Sequence, residues 1–285
     1  MVRTQQKQLD ATVKVVKATV DAVASQVQAA VAGIAATIQR AQSRLRPGDV
    51  KRKGLGDFVT TVDVRSEAKL RRALHRCLPS AGFLGEESTP ADLDRDWLWV
   101  VDPIDGTSNF SRGLPHFAVS VALLHQGDPV LGVVHCAPES ALYVAKRDRG
   151  VRRNGKAFTI PKGRLDDGAI LGCQWFRGQQ DLAFLSRLQR RGGRIRTLGS
   201  SVTQLVDTAM GRLDANVQEQ GRIWDIAAAG LVVEAAGGRF TDWSGRRVFP
   251  FRDLTVEHTP TIAASPSVHP GVLRLLAGKA GKDGK

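Results

Sequence analysis

Cysteine pairs are missing from this chain. Its 285 residues include three cysteines, Cys77, Cys136 and Cys173, far apart and without CxxC spacing. That excludes a disulfide framework and fits reduced, buried thiols in a cytoplasm. Histidine groupings are missing too. The six histidines, His116 and His135 among them, form no HxxxH or HxxE pattern, which argues against a zinc centre. A secretory leader is not expected, because Gln, Lys, Asp and Thr break up the apolar residues at the start. The least polar window, Ala22 to Ile38, contains Ser25, Gln26, Gln28 and Thr37, so no membrane span is expected from it.

Acidic residues are outnumbered, 28 against 41 Lys and Arg, for a formal charge of +13. Such an excess steers phosphate esters, nucleotides or nucleic acid towards a protein without choosing among them. The basic residues are scattered, with local clusters at Arg44 to Lys53, Arg71–Arg72 and Arg187 to Arg196. No recognition helix or aromatic-interleaved platform accompanies them, so they read as solvated surface and nucleic acid is not expected as a partner.

Apolar residues step by threes and fours from Leu9 through Val13, Val16, Val20, Val23, Val27, Val31 and Ile34 to Ile38, which predicts one long helix or two stacked ones. Arg46 to Gly56 reads as a mobile basic loop. Val59 to Val62 then predicts a short strand or turn, and a helix follows from about Val64 to Leu78. Trp97 to Val101 is wholly apolar and ends abruptly at Asp102, as a strand buried on both faces does. Phe117 to Leu124, Val130 to His135 and Leu142 to Ala145 predict further strands of an antiparallel sheet, with turns at Gln126–Pro129 and Ala137–Pro138. From Gly163 onward strand and helix alternate: strand Ala169 to Cys173, helix Gln180 to Arg190, strand Arg194 to Leu198 and helix Ser201 to Met210. Helix Ile226 to Ala236 then stops at Gly237-Gly238 before strand Arg239 to Thr241. The tail from Ala277 to Lys285 is Gly- and Lys-rich and expected to be disordered. The expected division is an α+β lobe over 1–160 and an α/β lobe over 161–285.

Asp102-Pro103-Ile104-Asp105-Gly106-Thr107 sets two carboxylates three residues apart at a strand end, followed by small residues whose amides can hold an anion. Paired carboxylates repel unless a cation lies between them, and oxygen ligands favour magnesium over zinc. Taken alone, this pair is equally a tight turn. Asp225 after Trp224 is equally a helix cap, Glu86-Glu87 a solvated pair, and Asp63 a cap before Val64. Ser108 and Ser111 have neither a histidine partner nor a nucleophile-elbow motif, which excludes a serine hydrolase.

Gly85-Glu86-Glu87-Ser88, Trp99 through Phe110 and Trp224-Asp225-Ile226-Ala227-Ala228-Ala229 resemble, in order and spacing, three hallmark segments of the inositol monophosphatase family. Asp57 to Asp63 resembles a fourth, so the likeness runs from about Asp49 to Ser265. The resemblance implies a layered αβαβα sandwich of the inositol monophosphatase and fructose-1,6-bisphosphatase type, usually a homodimer. It also implies Mg²⁺-dependent hydrolysis of phosphate monoesters and inhibition by lithium. Glu86, Asp102 and the Ile104 carbonyl would hold one ion, Asp102, Asp105 and Asp225 a second, and a third would sit near Glu86. Gly106 and Thr107 would bind phosphate, while Thr107, paired with Asp63, would help Glu86 orient the attacking water. Gly199-Ser200-Ser201 resembles a substrate-facing loop. Glu219 is the candidate for a sugar-contacting glutamate, in a segment one residue shorter than in inositol-specific members. The basic loop at Lys51, Arg52 and Lys53 and the extra N-terminal helix depart from the pattern. The implied substrate is inositol phosphate or a similar polyol phosphate. The alternatives are histidinol phosphate, fructose 1,6-bisphosphate or a 3′-phosphoadenosine nucleotide, or a non-catalytic protein that binds RNA or an acidic partner.

Overall fold

The computed structural model describes residues 2–54, 57–137, 139–174, 179–256 and 258–278. The three-and-four apolar spacing forms one continuous helix, α1 (Val2–Gln42). Its segment from Asp10 to Gln42 is long enough to span a membrane, and an 18-residue window within it has a mean hydropathy of 1.2, yet Val20, Val23, Val27, Val31 and Ile38 are buried in a core shared with sheet residues. The basic stretch expected as a mobile loop is instead a 3-10 turn at Pro47–Asp49 and strand β1 (Val50–Gly54), paired antiparallel with β2 (Asp57–Thr60). Main-chain pairing satisfies polar groups that a loop would leave to water. Residues 55 and 56 of that stretch lie outside the described residues.

Helix α2 (Thr61–Cys77) starts earlier than Val64 because Thr60 caps it: the Thr60 side chain accepts from the Val62 and Asp63 amides, and Asp63 accepts in return from the Thr60 amide. Strands β3 (Gly82–Gly85) and β4 (Trp97–Asp105) follow, then the short α3 (Thr107–Ser111) and β5 (Ala118–His125), β6 (Asp128–Cys136), β7 (Ala141–Lys146), β8 (Gly150–Arg153) and β9 (Lys156–Phe158). These seven strands form one sheet in chain order; β3 joins β4 in parallel, and every later neighbour is antiparallel. The expected turn between β5 and β6 is made by Gln126 and Gly127, both at positive φ, whereas Asp128 and Pro129 already belong to β6. Of the other expected turn, Pro138 lies outside the described residues.

The rest of the chain builds a second sheet in the order β11 (Arg194–Arg196), β10 (Ile170–Cys173), β12 (Ala215–Gly221), β14 (Thr259–Ala264), β13 (Arg239–Asp242). Helices α4 (Gln179–Arg190), α5 (Ser201–Ala209), α6 (Ile223–Ala235) and α7 (His269–Leu276) accompany it. Strands β12 and β14 were not anticipated, because Asn216, Gln218, Glu219 and Gln220 hide the first and prolines flank or interrupt the second. The tail beyond residue 278 lies outside the described residues.

Among the described residues three cores hold five layers together. One lies between α1/α2 and the large sheet, one surrounds α5/α6 and reaches from that sheet to Phe240 and Ala263 of the second sheet, and one lies between the second sheet and α4/α7. This is the αβαβα sandwich expected from the resemblance. The central helix α6 is apolar along most of its length and has buried residues from Ile223 to Val233, as a helix covered on both sides requires. It seats closely on β6: a Cβ added to Gly132 would lie 2.9 Å from the Ala228 carbonyl oxygen.

Gly132→Ala is therefore expected to destabilise the protein by about 1–3 kcal/mol through overpacking. Gly33→Ala, in the middle of α1 with nothing within 4 Å of the added carbon, is expected to stabilise by about 0.5–1 kcal/mol. Urea melts of both variants check this; equal midpoints would refute the close seating of α6.

Candidate active site

The site begins where β4 loses its regular ladder. Pairing with β5 shifts register between Asp102 and Asp105, because Pro103 has no N–H to give. In an unbroken strand, residues three apart face opposite ways; the irregularity lets both carboxylates turn to one side. Asp102 is held by the Ile104 amide at 2.9 Å.

Two other elements bring the remaining acids. Asp225 sits in the first turn of α6 and accepts from the Arg222 amide at 3.1 Å, so it does act as a cap, but it also converges with the β4 pair. Asp102, Asp105 and Asp225 offer oxygens within 4.8 Å of one another. Glu86 follows β3, fixed by its amide donating to Val101 at 3.2 Å, and its carboxyl is near enough to raise the proton affinity of Asp102. Glu67, overlooked in the sequence, supports this turn. It is 2% exposed, accepts from the Glu87 amide at 2.8 Å, and leaves no room for a side chain at residue 85.

Repulsion among these groups is plain in their proton affinities. Burial, then the negative charges of Glu86, Asp105 and Asp225, raise the Asp102 carboxyl well above the usual range. Burial pushes Asp105 up to about 6 although Ser200, Val202 and Ser201 donate to it. Burial and the Asp105 charge push Asp225 up to about 7. A cluster of hard oxygen donors that disfavours its own ionisation is the arrangement a divalent cation relieves, and it contains no nitrogen or sulfur ligand. The donor set fits Mg²⁺.

Beside it lies a polar relay. The Thr107 hydroxyl is 2.9 Å from both Asp63 Oδ1 and the Ile104 carbonyl oxygen. Asp63, fully buried, also accepts from the Thr60 amide and the Thr60 hydroxyl. Gly106, at φ +90°, starts α3; a Cβ there would lie 2.8 Å from the His116 carbonyl. The first amides of α3 have no preceding turn to donate to.

In the Gly199-Ser200-Ser201 loop, expected to face the substrate, the serines are tied to a carboxylate of the site. Ser200 and Ser201 are 0% and 2% exposed. The Ser200 hydroxyl and the amides of Ser201 and Val202, at 3.2 and 2.8 Å, donate to Asp105; the start of α5 thus holds a carboxylate of this chain. Two residues missed in the sequence clamp the loop at Leu198. Asn109 donates to its carbonyl at 2.7 Å, and Gln204 accepts from its amide at 3.1 Å. The signal for Asn109 was its place in the Asp-Gly-Thr-Ser-Asn run; Gln204 gave none. Glu219 lies half-buried where β12 departs from regular pairing with β14. Cys136 and Cys173 are buried free thiols whose proton affinity burial raises, and Cys77 is partly exposed.

The family model for the inositol monophosphatase family matches residues 17–279. An inositol-1-monophosphatase from Caulobacter vibrioides is 32% identical over 237 residues, 80% of this chain and 90% of that protein. Nus factor SuhB from Escherichia coli K12 is 34% identical over 220 residues, 75% of this chain and 82% of its own. The crystal structure of extragenic suppressor protein suhB from Bartonella henselae superposes with a TM-score of 0.80 at 30% identity, covering 93% of this chain and all of the other. With this match running almost the full length and the acidic segments meeting in one place, the chain belongs to the inositol monophosphatase family.

Proposed function

We propose that this protein is a Mg²⁺-dependent phosphomonoesterase that hydrolyses inositol monophosphate or a similar small polyol phosphate with water as nucleophile. The convergence of Asp102, Asp105 and Asp225 within 4.8 Å, with Glu86 against Asp102, supports this reading most. Glu86, Asp102, the Ile104 carbonyl, Asp105 and Asp225 would hold two to three ions, which supply charge to screen the phosphate and to acidify water. The protein's own groups do the positioning. Gly106 and Thr107 offer amides to the phosphate oxygens. Thr107, donating to Asp63, keeps its lone pairs for a proton of the attacking water, and Glu86 orients that water from the other side. Asp225 and Glu219 are the groups proposed to meet substrate hydroxyls.

Lobes over 1–160 and 161–285, a homodimer, lithium inhibition and a cytoplasmic location belong to the same proposal, supported by family membership and the free thiols. Histidinol phosphate, fructose 1,6-bisphosphate and 3′-phosphoadenosine nucleotides remain as rival substrates for the same chemistry, to be ranked by kcat/KM. The SuhB relatives favour a second reading, in which partner binding through the +13 surface replaces catalysis.

Phosphate release from this panel is expected only with Mg²⁺. Asp102→Asn is expected to lower kcat about a thousandfold, and Thr107→Ala about a hundredfold, both with intact circular dichroism. No release from any substrate with Mg²⁺ present would overturn the catalytic reading.

The raised carboxyls also set a pH dependence. Asp105 and Asp225 titrate at about 6 and about 7 when folded and near 3.9 when unfolded, so the folded state holds more protons between those values. Stability in chelator is therefore fullest below about pH 4 as far as these groups are concerned, and falls as pH rises through about 7. Urea melts in EDTA at acidic and neutral pH test this. The Asp102→Asn variant should show a shallower decline, and a melt that strengthens towards neutral pH would contradict it.

A further inference from the structure

The cations that look dispersed in the sequence meet on the outer face of the molecule. Arg65, Lys69, Arg72 and Arg76 recur at i, i+4, i+7 and i+11 on α2, all exposed. Across the groove between α2 and α1 stand Arg40 and Arg44, also exposed. Two hollows of about 300 Å³ each lie along this groove. One is lined by Arg40, Arg44 and Arg65, the other by Lys69, Arg72 and Arg76 over a floor that includes Ala30, Gly33 and Ala73. The helical steps Arg65–Lys69 and Gly33–Thr37 join them.

Opposite charge is scarce here. Chain positions 22–48 contain no Asp or Glu, and the two carboxylates of α2, Asp63 and Glu67, are buried. Of the acids that border the hollows, Asp49 accepts from the Arg46 amide and Asp92 pairs with Arg95 at 3.4 Å. None of the six cations makes an ion pair with a described carboxylate. Exposed like charges this close repel, and the fold gains nothing from them.

We infer that the α1–α2 groove is a docking surface for the phosphate backbone of single-stranded nucleic acid, independent of the carboxylate site. Successive cations on α2 rise by about 6, 4.5 and 6 Å, a spacing like that of phosphates along an extended strand. Five of the six are arginines, whose planar forks grip phosphate oxygens in pairs. Past Arg72 the groove opens into a third hollow of about 380 Å³, lined by His75, Pro79, Phe83 and Arg71, whose guanidinium lies 5.0 Å over the Phe83 ring. A flat guanidinium beside a hollow of that size suits an unstacked base. An acidic peptide has no use for this slot. A bilayer needs large apolar side chains to insert, and the groove floor offers mainly small ones.

The test is fluorescence anisotropy with a labelled oligouridylate of about 20 nucleotides, over about 50 to 200 mM salt. Full-length protein is compared with the Lys69→Gln/Arg72→Gln/Arg76→Gln variant. Six contacts predict a slope of log affinity on log salt of about −4, and the variant about −2, at about 0.7 per phosphate. Its affinity at low salt should fall at least tenfold, with the thermal midpoint and Mg²⁺-dependent phosphate release unchanged. Equal binding by both proteins would overturn the inference. So would failure of the wild type to bind at about 50 mM salt, or displacement of the RNA more readily by polyglutamate or anionic vesicles than by unlabelled RNA. Phosphate release is scored separately, so loss of RNA binding and loss of catalysis are distinguishable.

Discussion

Negative charge crowded into a buried place is the constraint around which this molecule is organised. Four carboxylates from three separate elements are brought together although each makes the ionisation of its neighbours harder. Left alone, such side chains would swing apart. Here they are restrained: Asp105 by the hydroxyl and amides at the start of α5, Asp102 by the Ile104 amide, Asp225 by the Arg222 amide, and Glu86 by its own amide on Val101. The backbone, more than the side chains, holds the charge in place. Dense packing of Gly85 over Glu67 and of Gly106 against the His116 carbonyl leaves little room for relaxation.

The layered architecture explains how this is achieved. β3 and β4 run parallel, so Glu86 and Asp102 leave the sheet at the same end. α6 is inserted between the sheets with its first turn at that end, and α5 starts beside it. No single layer contains the site, which exists only where the large sheet and the central helices meet. Ser120 of β5 donating to the Trp224 carbonyl at 3.2 Å stitches the two together next to Asp225.

Much of this was legible in the residues, and the failures have physical causes. The apolar run before Asp102 read as a buried strand because both its faces are covered, and the α1 stripe read as a helix because its spacing is regular. The basic hairpin did not, since cationic side chains on a wet ribbon resemble those of a loop. Strand β12 was hidden because Asn216 and Gln218 place polar amides in the interior, contrary to any pattern rule. The site acids were legible through their short, ordered segments. Their support was not: Glu67 and Gln204 act through contacts 20 and six residues away along the chain, and Ser200 and Ser201 look alike whether they face a ligand or a carboxylate. The cations of α2 were dispersed in the sequence, and only helical periodicity aligns them.

The covered surroundings of α6 carry one more consequence. A helix with almost no polar face has little reason to form in water before its neighbours exist. The antiparallel run from β4 to β9 is local in sequence and can assemble from adjacent strands, whereas α6 also packs against β13 and β14, whose segments emerge later during synthesis. Its seating joins the large sheet to the second one, and Asp225 reaches the other acids only once α6 is packed on the large sheet. The same packing that covers the apolar stretch from Ile226 to Val233 therefore also completes the acidic cluster, so a substitution that loosens α6 would disturb the carboxylates from a distance.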